Sequence, residues 1–292
     1  HELIKIKMNK VIKNLVFSVF FLIILSIISI VVILWTYSNE LPDYKFLKNY
    51  KPPVSSKLYS GEGELVIDFA TEKRIFIPYN SIPKIVINSF LSSEDKNFFY
   101  HPGVDAKGVL RAIYNNFYNI LGSKRLEGAS TITQQVAKNF LLTNEVSLDR
   151  KIKEAILAFR IERAFSKERI LELYLNQIYL GEGSYGIASA SLKYFDKPIS
   201  NLSYNEAALL AALPKAPSKY NPYKNPELAK FRRNLVLKNL EDNNYITKKQ
   251  LGKFKDTKIT LKRRKIEILN EANSYTEEVR RSIKEKYGFQ TL

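Results

Sequence analysis

Along most of this chain the apolar positions recur every three or four residues, but near the N-terminus they run without a break. Leu15 to Trp35 (LVFSVFFLIILSIISIVVILW) is apolar except for three serines, and no charge falls between Lys13 and Glu40. As a helix rising about 1.5 Å per residue it would span roughly 32 Å, the thickness of a bilayer core. It has no polar face, which argues against a core helix of a soluble domain. It is longer than the apolar segment of a signal peptide and no A-x-A site follows it, so it reads as an uncleaved anchor. Lys5, Lys7, Lys10 and Lys13 precede it, while Glu40 and Asp43 follow. That bias predicts a cytoplasmic N-terminus and an extracytoplasmic remainder.

After the anchor the pattern changes. Residues 38–55, with Pro42, Pro52 and Pro53, read as a stalk. The runs 56–60 and 64–70 are β-rich and flank Gly61-Glu62-Gly63, which predicts a hairpin. Helix signals dominate from there on. Ser203/Glu206, Thr247/Gln250 and Ser274/Glu277 are capping boxes, and Asn225-Pro226 starts a helix in which Leu228, Phe231, Leu235 and Leu240 recur. Gly181 and Gly288 follow helical runs as stops. The segment 147–163 (SLDRKIKEAILAFRIER) carries two apolar stripes. One holds Leu148, Ile152, Ile156 and Phe159, and the other Leu157 and Ile161. A helix apolar on both sides is expected at the centre of its domain. The fold class is therefore mainly α, with one transmembrane helix and a small N-terminal β-hairpin.

Composition narrows the chemistry. With no Cys and two His among 292 residues, disulfide scaffolds, thiolate chemistry and His-rich metal sites are excluded. The net charge of +17 is concentrated: residues 248–265 hold nine basic residues and one acid, about half the surplus. Such a stretch suits an anionic membrane surface or nucleic acid, or is a solvated linker. No nucleic-acid-binding signature accompanies it, so no nucleic-acid partner is expected.

Three segments could carry chemistry. In Ser92–Asp105 a helix starting near Ser81-Ile82-Pro83 ends, leaving Glu94 and Asp95 near its C-terminus. There the helix dipole disfavours negative charge, raises a carboxyl pKa and suits a general base. Alternatively these are surface acids, with His101 a packing residue. In Gly128–Leu142 the hydrogen-bonding residues Ser130, Thr131, Thr133, Gln134 and Gln135 precede an apolar helix bearing Lys138. This is either an anion site at a helix start, of a size for a pyrophosphate, or a capping cluster. In the third segment Arg150 and Glu154 lie in line with Leu157 and Ile161. They either face a cleft or pair along the helix.

Taken in order, these segments resemble the glycosyltransferase family 51 domain of class A penicillin-binding proteins. Its ED-x2-F-x2-H-x-G motif is matched by Glu94, Asp95, Phe98, His101 and Gly103. GGSTITQQ is matched by residues 128–135, with Ala129 in place of the second Gly. RK-x2-E is matched by Arg150, Lys151 and Glu154, and ILE-x-YLN by residues 170–176, followed by Gly181 and Gly186. A fifth is matched by Glu206–Ala211 and Pro214. The resemblance covers roughly residues 56–290.

It implies a lysozyme-like, two-lobed glycosyltransferase domain that polymerises lipid II into β-1,4-linked glycan strands with inversion at MurNAc C1 and release of undecaprenyl diphosphate. It implies Glu94 as general base and Glu154 as second glutamate on the diphosphate side, with a loosely bound divalent cation, Mg²⁺ or Mn²⁺. Lys138, Arg150 and Lys151 would bind the diphosphate. Asp95, His101, Ser130, Thr131, Gln134 and Gln135 would be polar substrate-binding residues of the cleft. Val109–Leu121 would be a mobile apolar jaw dipping into the bilayer, although the same stripe could face a core. The expected partners are lipid II, the growing lipid-linked strand, the bilayer and other wall-synthesis proteins. The expected location is a bacterial cytoplasmic membrane, single-pass.

The expected boundaries are 1–14 cytoplasmic, 15–37 anchor, 38–55 stalk, 56–245 glycosyltransferase, and 246–292 a basic linker leading into a segment that precedes a transpeptidase. The transpeptidase signature K-[ST]-G is absent. Ser81-x-x-Lys84, Ser93-x-x-Lys96 and Ser203-x-Asn205 fit the shorter patterns inside the glycosyltransferase region and read as chance. With His as first residue, the chain reads as a fragment or a truncated product. A lysozyme-like hydrolase and an inactive membrane scaffold are the competing readings. The basic set at 138, 150 and 151 argues against the first, and the intact motifs argue against the second.

Overall fold

The computed structural model describes residues 2–38, 41–48, 50, 57–59, 61, 65–68, 75–122, 128–142, 145, 147–262, 278, 279, 281–283, 285 and 286. The expected turn residues Glu62 and Gly63, stalk residues 51–55, the Ser274/Glu277 box and Gly288 lie outside them. Helix α1, Glu2–Ser38, runs through the whole apolar segment. Its stretch Lys13–Ser38 is long and apolar enough to cross a membrane. Its described side chains stay exposed from Lys13 to Thr36. The hairpin is present as β1 (Lys57–Tyr59) and β2 (Leu65–Asp68), antiparallel, with Leu58 opposite Ile67.

The helical body starts after a 3₁₀ turn at Tyr79–Ser81. Helix α2, Lys84–Glu94, follows Pro83; α3 is Ala106–Leu121, capped by Asp105 through the Gly108 amide. Then come α4 (Ile132–Leu141), α5 (Leu148–Ala164), α6 (Lys167–Gln177), α7 (Ile187–Phe195), α8 (Tyr204–Ala212), α9 (Pro226–Asp242) and α10 (Lys248–Asp256). Both expected capping boxes within these residues form, Ser203 with Glu206 and Thr247 with Gln250. Pro226 occupies the first position of α9.

Two helix groups share one core. In one, α8 packs against α2 and α9; in the other, α4 packs against α5 and α6. The centre belongs to α8, whose residues Ala207 to Ala212 are all buried. Its run of alanines lets neighbouring helices approach closely. This corrects the expectation for α5. Its Leu157 and Ile161 are buried, but Leu148 is 84% and Phe159 45% exposed. The stripe of Leu148, Ile152, Ile156 and Phe159 is therefore the outer one, exposed at both ends and half-buried between them. Likewise α9 turns Ala229, Arg233, Val236, Leu237 and Leu240 inward and leaves Leu228, Phe231 and Leu235 exposed.

Packing onto this body continues past residue 245. Ile246 and Leu251 are buried, and Phe254 stacks on Tyr204 with ring centroids 5.5 Å apart. Arg233, fully buried, donates to the carbonyls of Thr257 (2.8 Å) and Lys255 (3.0 Å). The basic residues of α10 project from a helix held by Leu251 and Phe254, which pack against the core. At the other end of α6, Gly186 has φ +77°, and a Cβ there would lie 2.6 Å from the Asn176 carbonyl oxygen. The turn after α6 can close only on glycine.

Candidate active site

The seam between the two helix groups holds a polar cavity of about 420 Å³. Glu94, the last residue of α2, lines it with Ser92, Ser93, Lys96, Ser130, Lys215 and Arg232. Gln135, on the first turn of α4, donates from Nε2 to Glu94 Oε2 at 3.0 Å, and Ser93 Oγ donates to Oε1 at 3.3 Å. Burial holds the Glu94 carboxyl above the ordinary glutamate value, while Gln135, Arg232, Ser93 and Lys215 pull it back. The direction agrees with the sequence expectation. The cause does not, since burial rather than the helix dipole is the main contribution. Behind Glu94 and Asp95 the Tyr174 ring is fully buried, and burial with those two charges keeps its phenol protonated far above neutral pH.

Asp95, next in sequence, points away from solvent. Its carboxylate lies 3.0 Å from His101 Nε2, and Oδ2 accepts the Ile132 amide at 2.9 Å. Thr131 Oγ1 donates to the Gly103 carbonyl (2.5 Å), and Gln134 closes the cap of α4 by accepting from the Thr131 amide at 3.0 Å. All four side chains are buried. His101 and Gln134 do not line the cavity, although Asp95 and Thr131 do. The expected anion site at the start of α4 is therefore filled by the protein's own carboxylate. The Ile132 amide serves Asp95, and the Gln134 amide serves Thr131 Oγ1. These residues hold the end of α2 against the start of α4.

The second glutamate lies across the same segment. Glu154 on α5 is 1% exposed in its side chain, and Arg150 Nη1 donates to its Oε1. Lys151 Nζ reaches Oε2 at 2.6 Å and Ser130 Oγ at 2.8 Å. So Ser130, which lines the cavity, joins the Glu154 cluster to it, while Gln135 holds the Glu94 carboxylate from behind the lining. Lys138 lies on α4 one turn beyond Gln135, partly exposed. Glu154 is also the residue expected to meet Mg²⁺ or Mn²⁺. Both carboxylate oxygens already face cations, and among the described residues no three His, Asp or Glu converge as metal ligands.

The sequence reading missed Lys215 and Arg232. Lys215 follows Pro214, and its ammonium lies near Gly128. Arg232 belongs to a polar stripe of α9 with Asn239 and Asn243, at i, i+7 and i+11, all lining the cavity. Asn239 donates to the Ser92 carbonyl and Asn243 to Ser92 Oγ, each at 3.0 Å. That spacing was visible in the sequence and was the available signal. Apart from the cavity, α3 leaves Leu110, Ile113, Tyr114, Phe117 and Tyr118 exposed. Its apolar stripe faces outward rather than into a core.

Comparison with known proteins gives a consistent result. The family pattern described as Transglycosylase matches residues 62–241. Penicillin-binding protein 1A of Rickettsia felis is 50% identical over 251 residues, which are 86% of this chain and 32% of that protein. The protein of the same name from Aquifex aeolicus is 45% identical over 251 residues, 86% of this chain and 34% of that one. A crystal structure of penicillin-binding protein 1A from Haemophilus influenzae matches with a TM-score of 0.49 and 25% identity, covering 82% of this chain and 25% of that one. The chain spans about a third of the length of the curated relatives it matches.

Proposed function

The chain belongs to the transglycosylase family, and from that premise we propose that it is a membrane-anchored peptidoglycan glycosyltransferase that extends glycan strands from lipid II. The observation that carries the reading is the pairing of a half-buried, raised-pKa carboxyl in a polar cavity with a second glutamate that two cations flank. Glu94 and Glu154 are linked through opposite ends of one segment, Gly128–Gln135.

In this mechanism the Glu94 carboxylate takes the proton of the acceptor sugar's 4-hydroxyl. The oxygen attacks C1 of the donor MurNAc as the C1–O bond to diphosphate breaks. The diphosphate leaves with the bonding electrons, and the anomeric centre inverts. A carboxyl with raised pKa is a stronger base when ionised, which favours this transfer. Arg150, Lys151 and Lys138 face the negative charge that develops on the leaving group, and fixed cations stabilise it most in the transition state. Asp95, His101, Thr131 and Gln134 keep the two sides in register. The exposed stripe of α3 suits contact with lipid, and α1 suits a single crossing with the N-terminus cytoplasmic. Purified full chain given lipid II in vesicles should form long glycan strands. Release of soluble fragments from finished peptidoglycan, with no strand formation, would assign it to hydrolysis instead.

The pH profile provides a sharper check. Activity requires ionised Glu94, so kcat/KM should fall with decreasing pH through a midpoint above the ordinary glutamate value of 4.5. Arg232 favours the carboxylate. Arg232→Met should therefore move that midpoint to higher pH as well as reduce the maximum rate. A midpoint that stays in place or moves down would show that Arg232 does not act on Glu94.

A further inference from the structure

The membrane helix does not end free in solution. Arg160, on α5, donates from Nη2 to the Ser38 carbonyl at 3.3 Å and also to Ser38 Oγ. A helix C-terminus carries unpaired carbonyls and partial negative charge, so a guanidinium there is favourable on both counts. One residue earlier, the Tyr37 ring lies 5.7 Å from Lys153 Nζ, and Tyr37 is hydrogen-bonded to Asp149. Lys153 Nζ pairs with Asp149 Oδ2 at 3.0 Å. Asp149, Lys153 and Arg160 fall at i, i+4 and i+11, which is one stripe of α5. The exposed Leu148 and Phe159 flank that stripe.

Helix α5 is also the element that bears Arg150, Lys151 and Glu154. Arg150 follows Asp149 directly and Glu154 follows Lys153 directly. Asp149 and Lys153 therefore overlap the cation cluster along the axis, and Arg160 lies six residues, roughly 9 Å, beyond Glu154. Ser38 ends the segment that crosses the bilayer, so the joint lies at the membrane surface, which is also the depth of a lipid diphosphate.

We propose that Asp149, Lys153 and Arg160 clamp the emerging end of the membrane helix and so hold Arg150 and Lys151 at headgroup level, where the diphosphate of a lipid-linked substrate lies. They are positioning residues, and they touch neither sugar nor diphosphate. The proposal rests on the glycosyltransferase reading for its catalytic consequence and on α1 spanning the bilayer for its geometry.

The test uses the full chain in phospholipid vesicles. Lys153→Ala/Arg160→Ala should raise KM for a full-length polyprenyl substrate in the same bilayer about tenfold, with kcat kept within twofold. With a short-chain, water-soluble substrate analogue both constants should match the parent. Arg160→Lys in the parent background should keep KM close to the parent value. Unchanged KM for the bilayer substrate, or equal losses on both substrates, would overturn the positioning role. A second measurement needs no catalysis. The chain has no cysteine, so spin labels at Trp35→Cys and Phe159→Cys are site-specific. A narrow label-to-label distance distribution that broadens in the Lys153→Ala/Arg160→Ala variant supports the clamp. A broad distribution in the parent overturns it even if strands form. A narrow one without strand formation would sink the glycosyltransferase reading and leave the clamp standing.

Discussion

Glu94→Gln is expected to reduce strand formation from lipid II by about 10²–10⁴-fold, the usual contribution of a general base, while leaving the fold at least as stable. The two halves of this expectation have one cause. Burial raises the Glu94 carboxyl above its ordinary value. An acid whose folded pKa lies above its unfolded one destabilises the fold at every pH where it must ionise, so at neutral pH its charge is a cost. Glutamine removes the charge, keeps the shape, and still offers a carbonyl to the Gln135 amide that now donates to Oε2. Strand yield and thermal unfolding measured on the same preparation check both halves. Retention of more than a tenth of parental activity would remove Glu94 from the role of base. A large drop in Tm would instead make its role structural. Opposed effects on rate and stability mark a residue kept for chemistry.

Glu154→Gln should behave differently, losing both activity and stability. Its carboxylate is nearly inaccessible and sits between Arg150 and Lys151. Removing it leaves two cations side by side, and the Arg150 side chain is only 12% exposed. Breaking a buried pair by removing one partner costs about 3–5 kcal/mol. Because Lys151 is 45% exposed and can turn to water, the lower end, about 3 kcal/mol, is the better expectation. That corresponds to a Tm lower by roughly 6–12 °C for a domain of this size. Strand formation should fall about 10²-fold, because Arg150 and Lys151 lose the anchor that aims them. If Glu154→Gln unfolds at the parental temperature, the ion cluster does not support the fold as described. If it polymerises at the parental rate, the cluster does not serve the leaving group.

The residues that fix local structure were legible without coordinates. Helix α1 follows from an unbroken apolar run long enough to cross a membrane. The starts of α8 and α10 follow from capping boxes that form between residues three apart. The end of α2 at Glu94 follows from the chain's need to turn before His101-Pro102-Gly103. In each case the partners lie within a few positions of one another, so spacing alone specifies the contact. The motif segments were also legible as candidates, and they form two hydrogen-bonded sets, Glu94 with Gln135 and Glu154 with Arg150, Lys151 and Ser130, which share the chain segment 130–135.

What the sequence could not decide is which side of a helix meets the rest of the molecule. Both stripes of α5 are apolar, and only packing against α4 and α6 selects Leu157 and Ile161 as the inner ones. Asp95 and Glu94 are adjacent acids. Tertiary contact alone sends one to His101 and the Ile132 amide and leaves the other facing the cavity. Lys215 and Arg232 act on Glu94 from more than a hundred residues away, and Arg160 meets Ser38 across a separation of 122. Capping and apolar runs are energies of near neighbours, written in the order of the chain. Burial, the raised carboxyl and the Arg160–Ser38 contact are energies of distant segments, and they exist only once the helices have packed.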